Sequence, residues 1–193
     1  VDINPETHLA AVANEKDNSI TAIDPYSDWK TTTIPVCKHP IDIAINSLDN
    51  RALVICDEDR SLLLIDLNNP PQPPFSKGGL GGIYYALNKL PKAVAVNNFT
   101  NIAAVVDDKT DSLTLIQLPN PNPEIISINP STGYRGSAGE VIVIEGNKFI
   151  KTSKVYFSLQ PSAFSLQTIF IDNHHLKVEL PESDVVETKV PVN

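Results

Sequence analysis

IAINSLDNRALVICDEDRSLLLID, residues 43–66, carries the clearest structural signal in the chain. It contains two short apolar runs, residues 52–56 and 62–65, separated by polar turn residues. Short runs rich in Val, Ile and Leu between turn residues predict β-strands rather than helices. Neither run alternates apolar with polar residues. We therefore predict that both faces of these strands are covered, as happens when sheets are stacked on one another.

The same pattern occurs three times. A shift of 42 residues aligns Ile3-Asn4 with Ile45-Asn46, and a further shift of 51 residues aligns Asn46 with Asn97. A Pro- and Gly-rich insert at residues 70–82 accounts for the longer second shift. Repeats of about 42 residues with four strands each are typical of propeller blades. In the second copy we predict strands at residues 43–46, 52–56, 62–66 and 83–87.

Three segments carry a family resemblance: VANEKDNSITAID, KHPIDIAIN and KLPKAVAVN resemble the YVTN family of propeller repeats. The resemblance covers about residues 1–118 and implies a partial β-propeller of about three blades, taken from a seven-bladed ring. Rings have four to eight blades, so three copies are too few to cover their own outer faces. The third copy also stops after its third strand, at 112–117. We expect the missing strand to come from sequence upstream of Val1, in a longer polypeptide.

The last third of the chain has a different pattern. After a proline-rich linker at residues 119–123, expected to be semi-rigid, nearly alternating runs predict the strands of a β-sandwich. These runs are residues 125–128, 141–145, 154–158 and 176–180. Residues 124–193 resemble the IPT/TIG domain through Ile128-x-Pro130, Gly133-x-x-Gly136, the run from Val141 through Gly146 to Phe149, and Val155-x-Phe157. The resemblance implies an immunoglobulin-like fold. Since the family's last strand has no counterpart after 187–192, we expect that the sandwich lacks it.

Composition excludes several classes of partner. The net charge of −8 argues against nucleic acid, which is bound through Lys and Arg. No apolar run approaches the roughly 18 residues that span a bilayer, so we predict no membrane insertion. Both resembled families imply an extracytoplasmic protein, periplasmic, cell-surface or secreted, from a bacterial or archaeal source. We expect its partners to be other protein subunits or missing parts of the same polypeptide.

Two groups of residues are candidates for sites. Acidic side chains in the turns between second and third strands could bind calcium or a basic partner, although Asp also stabilises tight turns. No stretch has the D-x-D-x-D-G spacing of a calcium loop, so we favour the turn role and keep as weak metal candidates Asp17, Asp59, Asp108 and Asp111. Cys37 and Cys56 are predicted at the same end of the propeller, where they form either a disulfide or two buried thiols.

No catalytic motif is present: there is no GxSxG, and KGGLGG in the insert lacks the order of a phosphate-binding loop. We predict no cofactor and assign the four histidines to surface structure. The interpretation favoured by the repeats is a non-enzymatic protein-binding or assembly module, part of a larger extracytoplasmic protein or complex. Two alternatives stay open: a propeller enzyme whose active site lies in blades outside this chain, and a glycan-binding module.

Overall fold

The computed structural model describes residues 1–69, 82–131, 139–159 and 162–180. The chain forms two compact units, Val1–Pro119 and Asn120–Asn193. Apart from one short 3-10 turn, Glu15–Asp17, the regular structure in the described ranges is β-strand, and no helix among those residues is long and apolar enough to cross a membrane. Residues 70–81 of the predicted insert lie outside the described residues.

The first unit consists of three antiparallel sheets, each following the chain from strand to neighbouring strand. The first sheet contains β1 (Asp2–Ile3), β2 (Ala10–Asn14), β3 (Ser19–Asp24) and β4 (Lys30–Pro35). The second sheet contains β5 (Pro40–Asn46), β6 (Arg51–Cys56), β7 (Ser61–Asp66) and β8 (Gly82–Ala86). The third sheet contains β9 (Pro91–Asn97), β10 (Ile102–Asp107) and β11 (Ser112–Gln117).

The repeat is present in the backbone as well as in the sequence. The turn between the first two strands of each sheet contains a residue with a positive φ angle, in the left-handed backbone conformation. The turn between the second and third strands contains one as well. The first set is His8 (φ 60°), Asn50 (φ 55°) and Asn101 (φ 56°), and the second is Asn18 (φ 52°), Arg60 (φ 47°) and Asp111 (φ 46°). Each set follows the same shifts of 42 and 51 residues. Asn and Asp tolerate this conformation better than most residues.

Apolar side chains pack between successive sheets of the first unit. One cluster joins the first sheet to the second, through residues such as Ile20 and Val54. The other joins the second sheet to the third, through residues such as Leu53 and Val105. The second sheet is therefore covered on both faces, and β6 is fully buried from Ala52 to Cys56, which is the two-sided burial that the unbroken apolar run predicts.

The second unit contains a four-stranded sheet and a two-stranded sheet. The larger one has the order β12 (Glu124–Asn129), β13 (Val141–Asn147), β17 (His175–Glu179) and β16 (Gln167–Phe170), and the smaller pairs β14 (Tyr156–Leu159) with β15 (Ser162–Ser165). The strands β15 and β16 were not predicted, because two four-residue strands separated by Leu166 alone show too little periodicity. Gly133, Gly136 and residues 187–192 lie outside the described residues.

Gly146 allows β12 to pack closely against β13. A Cβ atom at this position would meet the carbonyl oxygen of Glu124 and the ring of Phe149, so only glycine fits without a backbone shift. Phe149 is buried with Ile144 and Leu176 in the core of this unit. The glycine of the sequence motif is therefore required by close packing.

Candidate functional site

The third sheet presents an uncovered apolar face. In register, Ala104 lies between Ala95 and Leu115, and Val106 lies between Ala93 and Leu113. Cross-strand neighbours point to the same side of a sheet, so these six side chains form one surface, which we call the open face. Leu113 is 59% exposed, Leu115 63% and Val106 43%. Such side chains are costly to leave in water.

The same positions are covered in the second sheet. A shift of 51 residues relates Leu113, Leu115 and Val106 to Leu62, Leu64 and Ile55, which are 0%, 2% and 0% exposed. These residues pack against the third sheet through Val94, Ala103 and Val105. The open face thus has the composition of a buried interface. It is exposed because no sheet of the described structure packs on it.

The outer edge of β11 is also open in the described structure. In the first two sheets the third strand pairs with a fourth, β4 or β8. The residue after that fourth strand then donates its N–H to a left-handed turn residue: Val36 to the carbonyl of Asn18 at 2.8 Å, and Leu87 to that of Arg60 at 2.7 Å. Asp111 holds the equivalent turn position in the third sheet, whose strand order ends at β11.

Asparagine side chains link each sheet to the next. Asn4 and Asn46 are fully buried at the ends of equivalent first strands. The amide of Asn46 donates from Nδ2 to Oδ1 of Asn101 at 2.8 Å, and the amide of Asn4 donates to Oδ1 of Asn50. We call each of these contacts a rung. Each rung joins a first strand to the left-handed turn of the following sheet.

Asn97 is the third member of this series. Its Oδ1 accepts the N–H groups of Phe99 and Thr100, both at 3.0 Å, much as Oδ1 of Asn46 accepts the N–H of Leu48. Asn97 is exposed, however, and no acceptor for its Nδ2 occurs among the described residues. The sequence aligns Asn46 with Asn97, but the partner of each amide depends on how the sheets stack, which the sequence does not show.

A disulfide and a histidine hold the first and second sheets together at one end. Cys37 is bonded to Cys56, with their Cα atoms 5.9 Å apart. His39 bridges two turns, with Nε2 2.8 Å from Glu15 and Nδ1 2.6 Å from Asp57. The hydrogen bond to Asp57 is the main reason that the pKa of His39 is raised. This histidine was assigned to surface structure, and the structure gives it a bridging position that its sequence context did not indicate.

The four acidic candidates lie in three turns, and Asp108 and Asp111 share the turn between β10 and β11. Asp17 ends the 3-10 turn of the first sheet, and Asp59 accepts the N–H of Lys38 at 2.7 Å. Asp108 forms an exposed ion pair with Lys92, with 2.7 Å between the charged atoms. No group of three or more His, Cys, Asp or Glu side chains in the described ranges is arranged to hold a metal ion.

The junction between the second and third sheets lacks the disulfide. Asn88 and Asp107 stand at the positions of Cys37 and Cys56 after a shift of 51 residues. Both line a cavity of about 170 Å³. Asp107 is almost fully buried, and its Oδ1 accepts hydrogen bonds from the Thr110 hydroxyl and N–H, both at 2.7 Å, which lower the pKa of Asp107. Asp107 therefore anchors its own turn.

Exposed aromatic residues occur at the turn before β4. Tyr26 is largely exposed, and its hydroxyl lies 3.0 Å from Nδ1 of His8. Trp29 is also largely exposed, in the left-handed region. Tyr85, by contrast, packs against the cluster between the second and third sheets.

Comparisons with known proteins give one family match and several similar solved structures. The family model of the IPT/TIG domain matches residues 123–193. Three solved structures are similar to the chain: Kuenenia stuttgartiensis hydrazine synthase (TM-score 0.41, 14% identity, 80% of this chain and 43% of that chain), the Swd1 β-propeller domain of Myceliophteria thermophila (0.33, 11%, 72% and 48%), and a catalytically inactive virginiamycin B lyase from Staphylococcus aureus with quinupristin (0.35, 13%, 92% and 68%).

The chain spans less than half the length of the first two of these structures. No curated protein sequence matches the chain. The chain is thus all-β, with three stacked antiparallel sheets followed by a segment, residues 123–193, that matches the IPT/TIG family model.

Proposed function

We propose that this chain is a protein-binding or assembly module whose working surface is the open face of the third sheet together with the edge of β11. One observation carries the proposal. Leu113 and Leu115 are about 60% exposed, whereas their repeat equivalents in the second sheet are buried under a neighbouring sheet. Contiguous exposed apolar side chains mark interaction surfaces in soluble proteins.

The edge of β11 adds a second mode of attachment to the same surface. A strand with one unpaired side presents a row of N–H and C=O groups to an incoming strand. The partner is therefore β-structured, from another subunit or another part of the same polypeptide. An incoming strand would form backbone hydrogen bonds along β11, and a covering sheet would make apolar contacts on the open face.

The proposed setting is extracytoplasmic. A disulfide persists in oxidising compartments and is rare in reducing ones, and the Cys37–Cys56 bond agrees with such a setting. IPT/TIG domains and the resemblance of residues 1–118 to YVTN repeats support the same location. In this proposal the IPT/TIG unit supplies a second recognition surface.

Capture from an extract of the source cells tests the proposal. The bait chains are the wild type, the double variant Leu113→Glu/Leu115→Glu, and the matched control Ile125→Glu/Ile126→Glu, whose side chains are equally exposed at 61% and 64%. We expect one partner to be retained by the wild type and the control and lost by the open-face variant. Equal capture by all three baits, or none by any, would contradict the proposal.

A further inference from the structure

We infer that the open face of the third sheet docks head to tail on the outer face of the first sheet in a second copy of this chain. The inference rests on the proposed function of the open face and names its partner. It follows from an interface that the chain already forms twice within its own first unit.

The first sheet also has a face that no other sheet of the described structure covers, with Ile3 56% exposed and Ala10, Val12, Thr21 and Ile23 half-buried. In register, Ile3 lies beside Ala10, Ala10 beside Ile23, and Val12 beside Thr21. A shift of 42 residues relates these five positions to Ile45, Ala52, Ile65, Val54 and Leu63, which the second sheet packs against the first. The outer face of the first sheet is therefore the type of surface that covers a preceding sheet.

The third sheet packs on the second sheet through the same type of surface. A further shift of 51 residues relates Ala52, Val54 and Ile65 to Ala103, Val105 and Ile116, which pack on the second sheet. The open face is in turn equivalent to the surface on which they pack. One chain thus carries both halves of one repeated interface, each uncovered. A second copy brings the two halves together. Residues on the outer face of its first sheet are repeat equivalents of residues that pack on the second-sheet counterpart of the open face.

The asparagine rungs show which polar contact the interface between two copies would need in order to reproduce the interfaces inside one chain. Stacking in the repeat register places Asn97 of one copy beside residue 8 of the other, as Asn46 lies beside Asn101. His8 already has the left-handed backbone of Asn50 and Asn101. When the Tyr26 hydroxyl donates to Nδ1 of His8, Nε2 carries the hydrogen and offers no lone pair to the Asn97 amide. In that tautomer the wild type lacks the third rung.

A second type of contact between sheets, a hydrogen bond accepted by an aspartate, is also missing on the open face. Asp2 accepts the N–H of Ile45 at 2.7 Å, and Asp42 accepts the N–H of Val94 at 2.9 Å. The two aspartates occupy different repeat positions: Ala93 stands where Asp42 does after the shift of 51 residues, and Ala95 stands where Asp2 does after both shifts. Neither alanine has a carboxylate. Apolar contacts hold the two copies together. Because the asparagine rung and the aspartate hydrogen bonds are absent from this interface, we expect the association to be reversible. Because the two surfaces differ, the contact is heterologous and leads to a ring or an open chain.

Sedimentation velocity of the purified full chain over a range of concentrations tests the inference. The wild type is expected to associate reversibly as concentration rises. His8→Asn supplies an acceptor at the left-handed position and should tighten the association about fivefold, as expected for one added hydrogen bond. His8→Gly fits the same backbone without the acceptor and should not tighten it. Combining His8→Asn with Asn97→Ala should abolish the gain, since the rung needs both side chains.

The open-face variant Leu113→Glu/Leu115→Glu should be monomeric, while Ile125→Glu/Ile126→Glu should associate like the wild type. Two results overturn the inference: a monomer at every concentration for both the wild type and His8→Asn, or association of the open-face variant equal to that of the wild type. If the chain stays monomeric but the open-face variant still loses a captured cellular partner, the second copy is excluded and the proposed function stands.

Discussion

At the scale of single residues, the first two sheets are joined by stronger links than the second and third. The Cys37–Cys56 bond and the His39 bridge occur at the first junction. At the second junction, Asn88 and Asp107 replace the two cysteines and border a cavity. The repeat therefore conserves backbone geometry while the side chains that reinforce it differ from one junction to the next.

The disulfide gives a direct prediction. The unreduced, denatured protein should show no titratable thiol, and two should appear after reduction. The bond closes a loop of 19 residues, so replacing both cysteines with Ser should lower the free energy of unfolding of the first unit by roughly 3 kcal/mol. Two free thiols in the unreduced protein would show that Cys37 and Cys56 are not bonded.

His39 predicts a pH dependence. Its pKa is raised above the ordinary 6.5, chiefly by its hydrogen bond to Asp57, with Glu15 and Glu58 also favouring the charged ring. The stabilisation is complete below pH 6.5 and is lost as the pH rises through the raised pKa. Urea unfolding at a series of pH values should show this loss in the wild type and not in His39→Gln. Added salt should reduce the effect, because the groups are partly exposed.

At the scale of strands and turns, the sequence predicted most elements of the first unit and fewer of the second. The three-fold repeat located the strands of the second sheet to within three residues, because β-branched runs and turn residues recur in register. The strands β15 and β16 were missed because such short segments have no periodicity of their own. The start of β5 at Pro40 was also missed, since a register shift between Pro40 and Asp42 leaves no trace in hydrophobic alternation.

The asparagine rungs predict a difference between two equivalent residues. Asn46→Ala removes a turn contact and leaves Oδ1 of the buried Asn101 without the Asn46 donor, so it should cost about 2–3 kcal/mol. Asn97→Ala removes the turn contacts alone and should cost about 1 kcal/mol. Chemical unfolding followed by circular dichroism measures both. Equal losses would show that the rung between Asn46 and Asn101 contributes nothing.

At the scale of the whole molecule, the described structure leaves two outer faces of the first unit uncovered, and no fourth strand pairs with β11 as β4 and β8 pair in the other two sheets. The sequence predicted this, because three copies of one stacked unit cannot cover their own outer faces. It could not show which apolar side chains stay exposed or which amide lacks an acceptor, since those depend on how the sheets stack. The IPT/TIG unit was recognisable from local motifs, because Gly146 and Phe149 are fixed by close packing within a short segment.

Amide hydrogen exchange of the monomeric chain, resolved by residue, tests the central claim that the third sheet ends in an open edge and an open face. Ser61–Asp66 of β7 and Ser112–Gln117 of β11 are repeat equivalents, and β7 has a neighbour on both sides. We predict that all amides of β7 are protected, whereas alternate amides of β11 exchange at nearly the rate of an unstructured peptide. Equal protection of β11 and β7 in the monomer would contradict the account, because the edge of the third sheet would then already be paired.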